Sequence, residues 1–358
     1  MGKGERKNKM LIIGSFKEDY PRNKVLFSAL KENFEVNIIK VEEGKYFSFL
    51  RNIFSYGPKH QSIFIVYPAQ KYILILMLYR IFYSTRIIFD AFISFYDTYV
   101  FDKKLANKFS LKGLYYYLLD YLACRFSHIL IFDTEAHCDY FKKTFNCNLQ
   151  KKGIILPVSL DLELIDSIKA DSSPYDKKGE VFKILFYGYY IPLQGVEYII
   201  KAADILRGNK DIKFILIGSG QTYKEMKSLK EKLRLENIEF IARLDYPTLL
   251  RYIKKAHVCL GIFGNSDKAK RVIPNKVLDY LACSKIVITG NNSEMEKHFE
   301  DKKDIIYCDM ASEKDLADKI MDVYDNYENH KKIGESGRIK VEKNFSKESL
   351  AKKIKESL

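Results

Sequence analysis

Twelve short, mostly apolar runs succeed one another along the chain in two blocks of six, each followed by a longer amphipathic stretch. The first block holds Met10–Ile13, Val36–Ile39, Ile63–Val66, Arg86–Phe89, Ile129–Phe132 and Ile154–Leu156. The second holds Lys183–Phe186, Phe214–Ile217, Ile238–Ile241, Val258–Ile262, Ile286–Thr289 and Ile305–Tyr307. Strand-length runs alternating with helical stretches argue for βαβ units and parallel sheets. Val196, Ile199, Ile200, Ala203 and Leu206 fall on one face at the helical period, and Pro247 is placed to open the helix carrying Leu250 and Ile253.

At 358 residues the chain is too long for one core and suits two domains of roughly 150–200 residues each. The expected fold is therefore α/β, with two Rossmann-like doubly wound domains. Between the blocks, Asp166–Glu180 (DSIKADSSPYDKKGE) is polar, carries Ser, Pro and Gly, and has no apolar periodicity, so it reads as a linker. The domains are expected at residues 1–165 and 181–340. Residues 341–358 form a C-terminal helix with Leu350, Ile354 and Leu358 at helical spacing.

Composition narrows the partners. A hydrophobic fraction of 47% and a charged fraction of 30% are those of a folded globular protein. The net charge of +14 has two readings: an AT-rich coding bias, since Lys, Ile, Tyr and Phe are all abundant, or a basic face for an anionic partner. An anionic membrane surface stays among the candidate partners. Nucleic acid does not, because no binding module is recognisable. The longest apolar run, Tyr72–Tyr83 (YILILMLYRIFY), contains Arg80 and falls short of the roughly 20 residues that span a bilayer. A buried helix is expected there, with an interfacial helix as the alternative. Six cysteines without Cys-x-x-Cys spacing, and a polar Met1–Lys9 before a short apolar run, point to the cytoplasm, with association at the inner membrane face as an option.

The segment Arg271–Thr289 (RVIPNKVLDYLACSKIVIT) carries the most chemistry. Pro274 suits the first position of a helix, where its missing N–H costs nothing. The amides and positive dipole end of such a helix seat a diphosphate, and Lys276 in the first turn adds a full charge. Asp279 shares that face and can accept two hydrogen bonds from a ribose diol. The same two residues also read as a solvated i, i+3 ion pair. Arg271 and Asn275 flank the helix start and are donor-binding candidates with them. Gly188 and Gly195, after Lys183–Phe186, either let backbone approach a phosphate or simply make a tight turn. Gly218 and Gly220 in IGSG mark a ligand-facing loop at a strand end, without the third glycine of Gly-x-Gly-x-x-Gly.

Taken in order, FYGYYIPLQGVEYIIKAADIL (Phe186–Leu206), FILIGSGQ (Phe214–Gln221), IEFIARLDYPTLLRYIKKAHVCL (Ile238–Leu260) and IPNKVLDYLACSKIVIT (Ile273–Thr289) resemble the retaining GT-B glycosyltransferases of family 4. The resemblance covers residues 180–345 and is weaker in the first half. It implies two Rossmann-like domains facing across a cleft, a donor diphosphate over the glycine-rich turn, a nucleotide at the last helix, and a C-terminal helix crossing back to the first domain. Two departures stand out. Family members commonly carry an Arg and a Lys in the turn matching Tyr189–Gln194, whereas Tyr190 and Gln194 stand here, so phosphate neutralisation falls to Lys276 and Arg271. The family's Glu-x7-Glu pattern puts its second Glu at Asp279 and its first at Arg271, so the acid near the sugar is missing from that position.

The first domain is expected to hold the acceptor. Gly14, Arg22 and Asn23 follow its first strand in GSFKEDYPRN and are acceptor-side candidates. After the fourth strand comes DAFISFYDTY, in which Asp90 and Asp97 are candidate acceptor-binding or proton-accepting carboxylates, with Ser94 beside them. Helix capping is the competing reading. Family members often have a histidine near that strand, where this chain has Asp90. Asp133 reads as a helix N-cap and His137 as a packing residue. There is no Asp-x-Asp and no His/Cys cluster with ligand spacing, so no metal is expected. No cofactor is expected either, since the UDP- or GDP-linked sugar is a substrate. The expected activity is metal-independent transfer of a sugar from that donor to a hydroxyl of a glycan or lipid-linked acceptor, with retention implied by the resemblance. The alternatives are a sugar-nucleotide epimerase of GT-B-like fold and a non-catalytic nucleotide-sugar-binding relative.

Overall fold

The computed structural model describes residues 7–18, 20–169 and 181–358. All twelve apolar runs form strands. They are β1 (Lys9–Gly14), β2 (Glu35–Lys40), β3 (Ser62–Ile65), β4 (Arg86–Asp90), β5 (Ile129–Phe132), β6 (Gly153–Ile155), β7 (Phe182–Tyr190), β8 (Ile212–Gly220), β9 (Ile238–Ile241), β10 (Val258–Leu260), β11 (Ile286–Gly290) and β12 (Ile306–Cys308). The helices of the first half are α1 (Pro21–Asn33), α2 (Tyr46–Tyr56), α3 (Ile73–Phe82), α4 (Leu111–Phe126) and α5 (Glu135–Phe145). They continue with α6 (Leu162–Ser167), α7 (Val196–Ile205), α8 (Tyr223–Lys232), α9 (Tyr246–Lys255), α10 (Asn275–Ala282), α11 (Ser293–Glu296), α12 (Glu313–Asp325), α13 (Tyr327–Phe345) and α14 (Lys347–Ser357).

The chain divides into two compact units, one running to Ser159 and joined by Lys347–Leu358, the other spanning Leu160–Ser346. Each holds a six-stranded parallel sheet, in the order β2-β1-β3-β4-β5-β6 in the first and β12-β11-β10-β7-β8-β9 in the second. The order reverses between β1 and β3 and between β7 and β10. Ligands of open α/β sheets bind outside the carboxyl ends of the strands at such points.

In the first unit one sheet face carries α2, α3, α4 and α5, through Phe49, Ile53, Leu76, Tyr79, Ala123 and Phe141. The other face carries α1 and α14, through Leu26, Leu30, Leu350 and Ile354. Asn33 Nδ2 donates to the Ala351 carbonyl at 3.1 Å, which ties α14 to the end of α1. In the second unit, alternate β7 residues Phe182, Ile184 and Phe186 share a core with Ile199 and Ala203 of α7 and Leu316 and Ile320 of α12. The opposite side of β7 meets α10, where the Tyr187 and Tyr280 rings lie 5.4 Å apart.

Most of the segment read as a linker, residues 170–180, lies outside the described residues. The division of the units falls before it. Leu160 N donates to the Phe345 carbonyl at 2.7 Å, and Asp166 accepts both Arg338 Nη1 (3.0 Å) and Nη2 (2.8 Å), so residues from Leu160 onward belong with the second unit. At the other end α13 is one helix to Phe345, and the chain changes units at Ser346, past the boundary read at residue 340.

No helix among the described residues is long and apolar enough to cross a membrane. The expectation that Tyr72–Tyr83 is a buried helix is half met. Ile73, Leu76 and Tyr79 of α3 are buried in the core, but Leu74, Leu78, Ile81 and Phe82 are exposed. The helix is apolar all round, and the protein covers only one side of it.

Candidate functional site

At the switch point of the second unit, the turn after β7 lies against the loop after β10. Pro192–Gln194 makes a 3-10 turn, and Gly195, at φ 65°, opens α7. A Cβ at Gly195 would come within 2.5 Å of Gly264 N, so this close approach requires glycine. Phe263 N and Gly264 N donate to the carbonyls of Gln194 and Leu193 at 3.1 and 3.2 Å, which fixes the turn.

Helix α10 starts beside that turn. Pro274 is its N-cap rather than its first residue, and its carbonyl accepts from Val277 N at 2.9 Å; Asn275 takes the first position. Lys276 is 5% exposed. Its amine stands 2.5 Å from Gln194 Oε1 and 3.8 Å from the centre of the Phe186 ring. It is also so near Gly188 that a Cβ there would sit 2.7 Å from Nζ, so glycine makes the room this amine occupies. Among the described residues no carboxylate forms an ion pair with Lys276. Burial therefore drives its pKa well below that of an ordinary lysine.

The solvated Lys276–Asp279 pair weighed from the spacing is not formed. Asp279 is 5% exposed and points to two phenols, accepting from the hydroxyls of Tyr187 and Tyr246, the latter at 2.7 Å. Burial raises its carboxyl to about 6, against the pull of those two hydrogen bonds. Each carboxylate oxygen thus accepts from one phenol hydroxyl. Neither tyrosine was singled out from the sequence. Tyr187 sits within a strand, and Tyr246 opens α9 beside its cap Asp245.

The IGSG segment is strand rather than loop, because β8 continues to Gly220 and pairs Gly218 with Gly188 and Gly220 with Tyr190. A Cβ at Gly218 would run into the Gly188 carbonyl, so interstrand approach accounts for that glycine. Arg271 ends a 3-10 turn, with Nε donating to the Asp267 carbonyl at 2.9 Å.

In the first unit the candidates gather at the carboxyl edge of its own sheet. Arg22, in the first turn of α1, meets Asp90 in a buried fork: Nη1 to Oδ2 at 2.9 Å and Nη2 to Oδ1 at 2.8 Å. Its guanidinium lies 3.9 Å from the centre of the Phe92 ring, and Tyr67 N donates to Asp90 Oδ2 at 3.2 Å. Burial alone would lower the Arg22 pKa, but Asp90 more than offsets it and the net shift is upward. This geometry makes Asp90 the anchor of Arg22 rather than a free base. Gly14 closes β1 with its carbonyl accepting from Val41 N at 2.9 Å, and Asn23 Nδ2 donates to the Lys17 carbonyl at 2.9 Å.

Ser94 and Asp97 belong to a network whose centre the sequence did not disclose. Buried Asp120 of α4 accepts from Ser94 Oγ (2.7 Å), Tyr96 N (2.9 Å) and Gln70 Nε2 (3.2 Å). Burial lifts its carboxyl to about 6, with those donors working the other way. Ser94 Oγ also accepts from Asp97 N at 2.9 Å, where a π-helical turn, Asp97–Asp102, begins. Asp133 is not the cap of α5: Thr134 accepts from His137 N at 3.1 Å, and Asp133 instead meets His137 Nδ1 at 2.9 Å.

Residues 167–340 match the family described as glycosyl transferases group 1. The chain is similar to two uncharacterized glycosyltransferases of Methanocaldococcus jannaschii. One is 25% identical over 207 residues, which is 58% of this chain and 53% of that protein; the other is 23% identical over 198 residues, 55% and 50%. It thus spans about half the length of the curated relatives it matches. Among solved structures it is similar to HepE of Anabaena in complex with UDP-glucose, with TM-score 0.74 and 14% identity over 98% of both chains. It is also similar to sucrose-phosphate synthase of Thermosynechococcus elongatus, with TM-score 0.74 and 12% identity over 98% of both. Likenesses at these identities establish the fold, two Rossmann-like units on the GT-B plan.

Proposed function

We propose that this chain is a glycosyltransferase whose second unit holds a nucleoside-diphosphate sugar, UDP- or GDP-linked, and whose first unit receives the acceptor, a hydroxyl of a glycan or lipid-linked acceptor. One observation carries the reading: a buried lysine amine, Lys276, with no carboxylate partner among the described residues, beside a glycine at the switch point of a group 1 glycosyl transferase domain. A buried charge without a counterion is costly, and a diphosphate oxygen supplies the missing partner through a charge-assisted hydrogen bond. Where the resemblance implies a lysine in the turn after β7, Gln194 stands, and Lys276 brings its amine to that same side chain from α10.

In the proposed reaction the bond from the anomeric carbon to the diphosphate oxygen breaks, and its electron pair goes to that oxygen. Lys276 and the amide end of α10 stabilise the charge that develops there, without a metal. The acceptor hydroxyl forms the new bond with retention of configuration, and its proton passes to a base, for which Asp97 is the proposed residue. Asp90 acts through Arg22 as a brace. The proposed location is the cytoplasm, at the inner membrane face.

The test is a thermal-shift panel of UDP-, GDP-, ADP- and TDP-sugars, since a ligand that binds only the folded state raises its stability by RT ln(1 + [L]/Kd). One nucleotide class should stabilise the protein, and the matching donor should then be consumed rapidly only when an acceptor is added. No stabilisation by any of the four, or conversion of the donor to an epimer without acceptor, removes this reading.

A further inference from the structure

The first unit leaves uncovered a surface that its own fold does not need. Among the described residues, fourteen of the eighteen exposed large hydrophobic side chains lie between Tyr46 and Leu118, while the second unit exposes Tyr189, Ile205 and Ile339. On α3 the exposed residues Leu74, Leu78 and Ile81 recur at i, i+4 and i+7, opposite the buried Ile73, Leu76 and Tyr79. That spacing makes a continuous apolar stripe on the side away from the sheet.

The neighbours of α3 extend the stripe. Helix α3 packs on both α2 and α4: the rings of Phe54 and Phe82 lie 6.1 Å apart, and Arg80 Nη1 donates to the Phe126 carbonyl. Phe47 of α2 is 78% exposed, and at the start of α4 Phe109 and Leu111 are 86% and 87% exposed. A water-soluble surface rarely gathers so many large apolar groups without a partner to cover them.

Charge identifies the partner. The stretches 45–59, 71–86 and 99–118, which hold this surface, contain ten Lys and Arg and a single acidic residue, Asp102, which is itself buried. Lys103, Lys104, Lys108 and Lys112 bracket the exposed Phe109 and Leu111, and Lys108 Nζ lies 4.7 Å from the centre of the Phe109 ring. A protein interface has an apolar core depleted in lysine. Exposed Leu and Phe interleaved with lysine match an anionic bilayer, where apolar side chains enter the headgroup boundary and the ammonium groups meet lipid phosphates.

We infer that the outward side of α2, α3 and the 99–118 segment docks the first unit on an anionic lipid bilayer. This deepens the proposed location at a membrane face by naming the surface that makes the contact. It rests on that location and not on the sugar-transfer chemistry. The docking surface belongs to the first unit and the donor-holding residues to the second, so vesicle binding and donor binding fail independently.

The test uses the full chain, without donor, in co-sedimentation with vesicles of phosphatidylcholine alone and of phosphatidylcholine with about one third phosphatidylglycerol. Binding is expected to be about tenfold or more stronger on the anionic vesicles and to weaken with added salt. Leu74→Glu with Ile81→Glu, and separately Lys103→Glu with Lys104→Glu and Lys108→Glu, should each reduce it by about tenfold. Ile205→Glu with Ile339→Glu, on the second unit, should leave it unchanged. Unaltered thermal unfolding and unaltered stabilisation by the donor nucleotide would show that each variant is folded. Equal binding to both vesicle types, or variants that bind like the parent, would overturn the proposal. So would a dimer in sedimentation velocity that Leu74→Glu with Ile81→Glu dissolves, with no vesicle binding, since a second copy of the chain would then cover this face.

Discussion

Each unit buries a cation at the carboxyl edge of its sheet, and the two are treated in opposite ways. Arg22 is held in a two-pronged contact with Asp90 and lies on a phenyl ring, and its affinity for its proton rises. Lys276 has the amide oxygen of Gln194, a ring face and, among the described residues, no acid, and its affinity for its proton falls. A buried cation with its counterion in place is a finished piece of architecture. One without a counterion is stable only if something else brings the negative charge, and a ligand is the available source. The contrast separates the structural charge of the first unit from the receptive charge of the second, which motif reading alone had placed together as site residues.

Removing Asp90 should have the largest effect. Asp90→Ala leaves the Arg22 guanidinium buried without a partner, and unfolding of the first unit in urea should be easier by about 3–5 kcal/mol. Replacing both, Arg22→Met with Asp90→Leu, should restore most of that stability, because the orphaned charge disappears with its partner. A loss below about 1 kcal/mol for the single variant would show that water reaches the pair.

Lys276 should behave in the reverse way. Lys276→Met takes a desolvated amine out of the second unit, so the ligand-free protein should be no less stable, while donor affinity falls by about 100-fold, or about 2.7 kcal/mol. Calorimetric titration of the best donor from the thermal-shift panel reads the second effect. A variant that loses stability and keeps donor binding would invert the comparison.

The buried acids give a smaller effect that depends on pH. Asp120 and Asp279 both have carboxyls raised to about 6, each chiefly by burial. A carboxyl that holds its proton more tightly when folded contributes stability at low pH, which is lost as pH rises from about 4 through about 6, at roughly 2 kcal/mol per group. In Asp120→Asn that component should vanish from the first unit, so the stability difference between variant and parent should shift in favour of the variant between about pH 4.5 and 7.5. A difference that stays constant with pH would mean that the Ser94, Tyr96 and Gln70 donors hold the carboxylate ionised.

The strands were legible because parallel strands covered on both faces read as unbroken apolar runs, and each of the twelve runs formed one. Their ends were not. β7 and β8 continue through Tyr187–Tyr190 and Gly218–Gly220, where each strand depends on a partner distant in sequence. The start of α10 was visible in Pro274 and Lys276, but the fate of the lysine was not. Local spacing pairs it with Asp279, and only the approach of Phe186 and Gln194 buries it and leaves Asp279 to two phenols. Asp120 escaped notice because its partners lie at residues 70, 94 and 96. For α3, periodicity does not say which side of an all-apolar helix remains open, since that depends on which layer of the fold is outermost.

Gln194 offers the smallest and most specific test of the unpaired cation. Its Oε1 accepts the hydrogen bond that Lys276 makes within the protein, so Gln194→Leu should push the lysine pKa further down. Donor binding requires the ammonium, and the bound diphosphate raises its pKa, so binding takes up a proton and weakens as pH climbs past the ligand-free value. In the variant that fall should begin at lower pH, and near neutrality the affinity should drop by roughly fivefold, about 1 kcal/mol. The reciprocal exchange, Gln194→Lys with Lys276→Gln, returns a cation to the same space from the other side. If the location of the charge is what matters, the exchange should recover much of the binding lost in Lys276→Met. Failure to recover any of it, in a protein that still unfolds like the parent, would mean that the amide end of α10 and Lys276 act only as one unit.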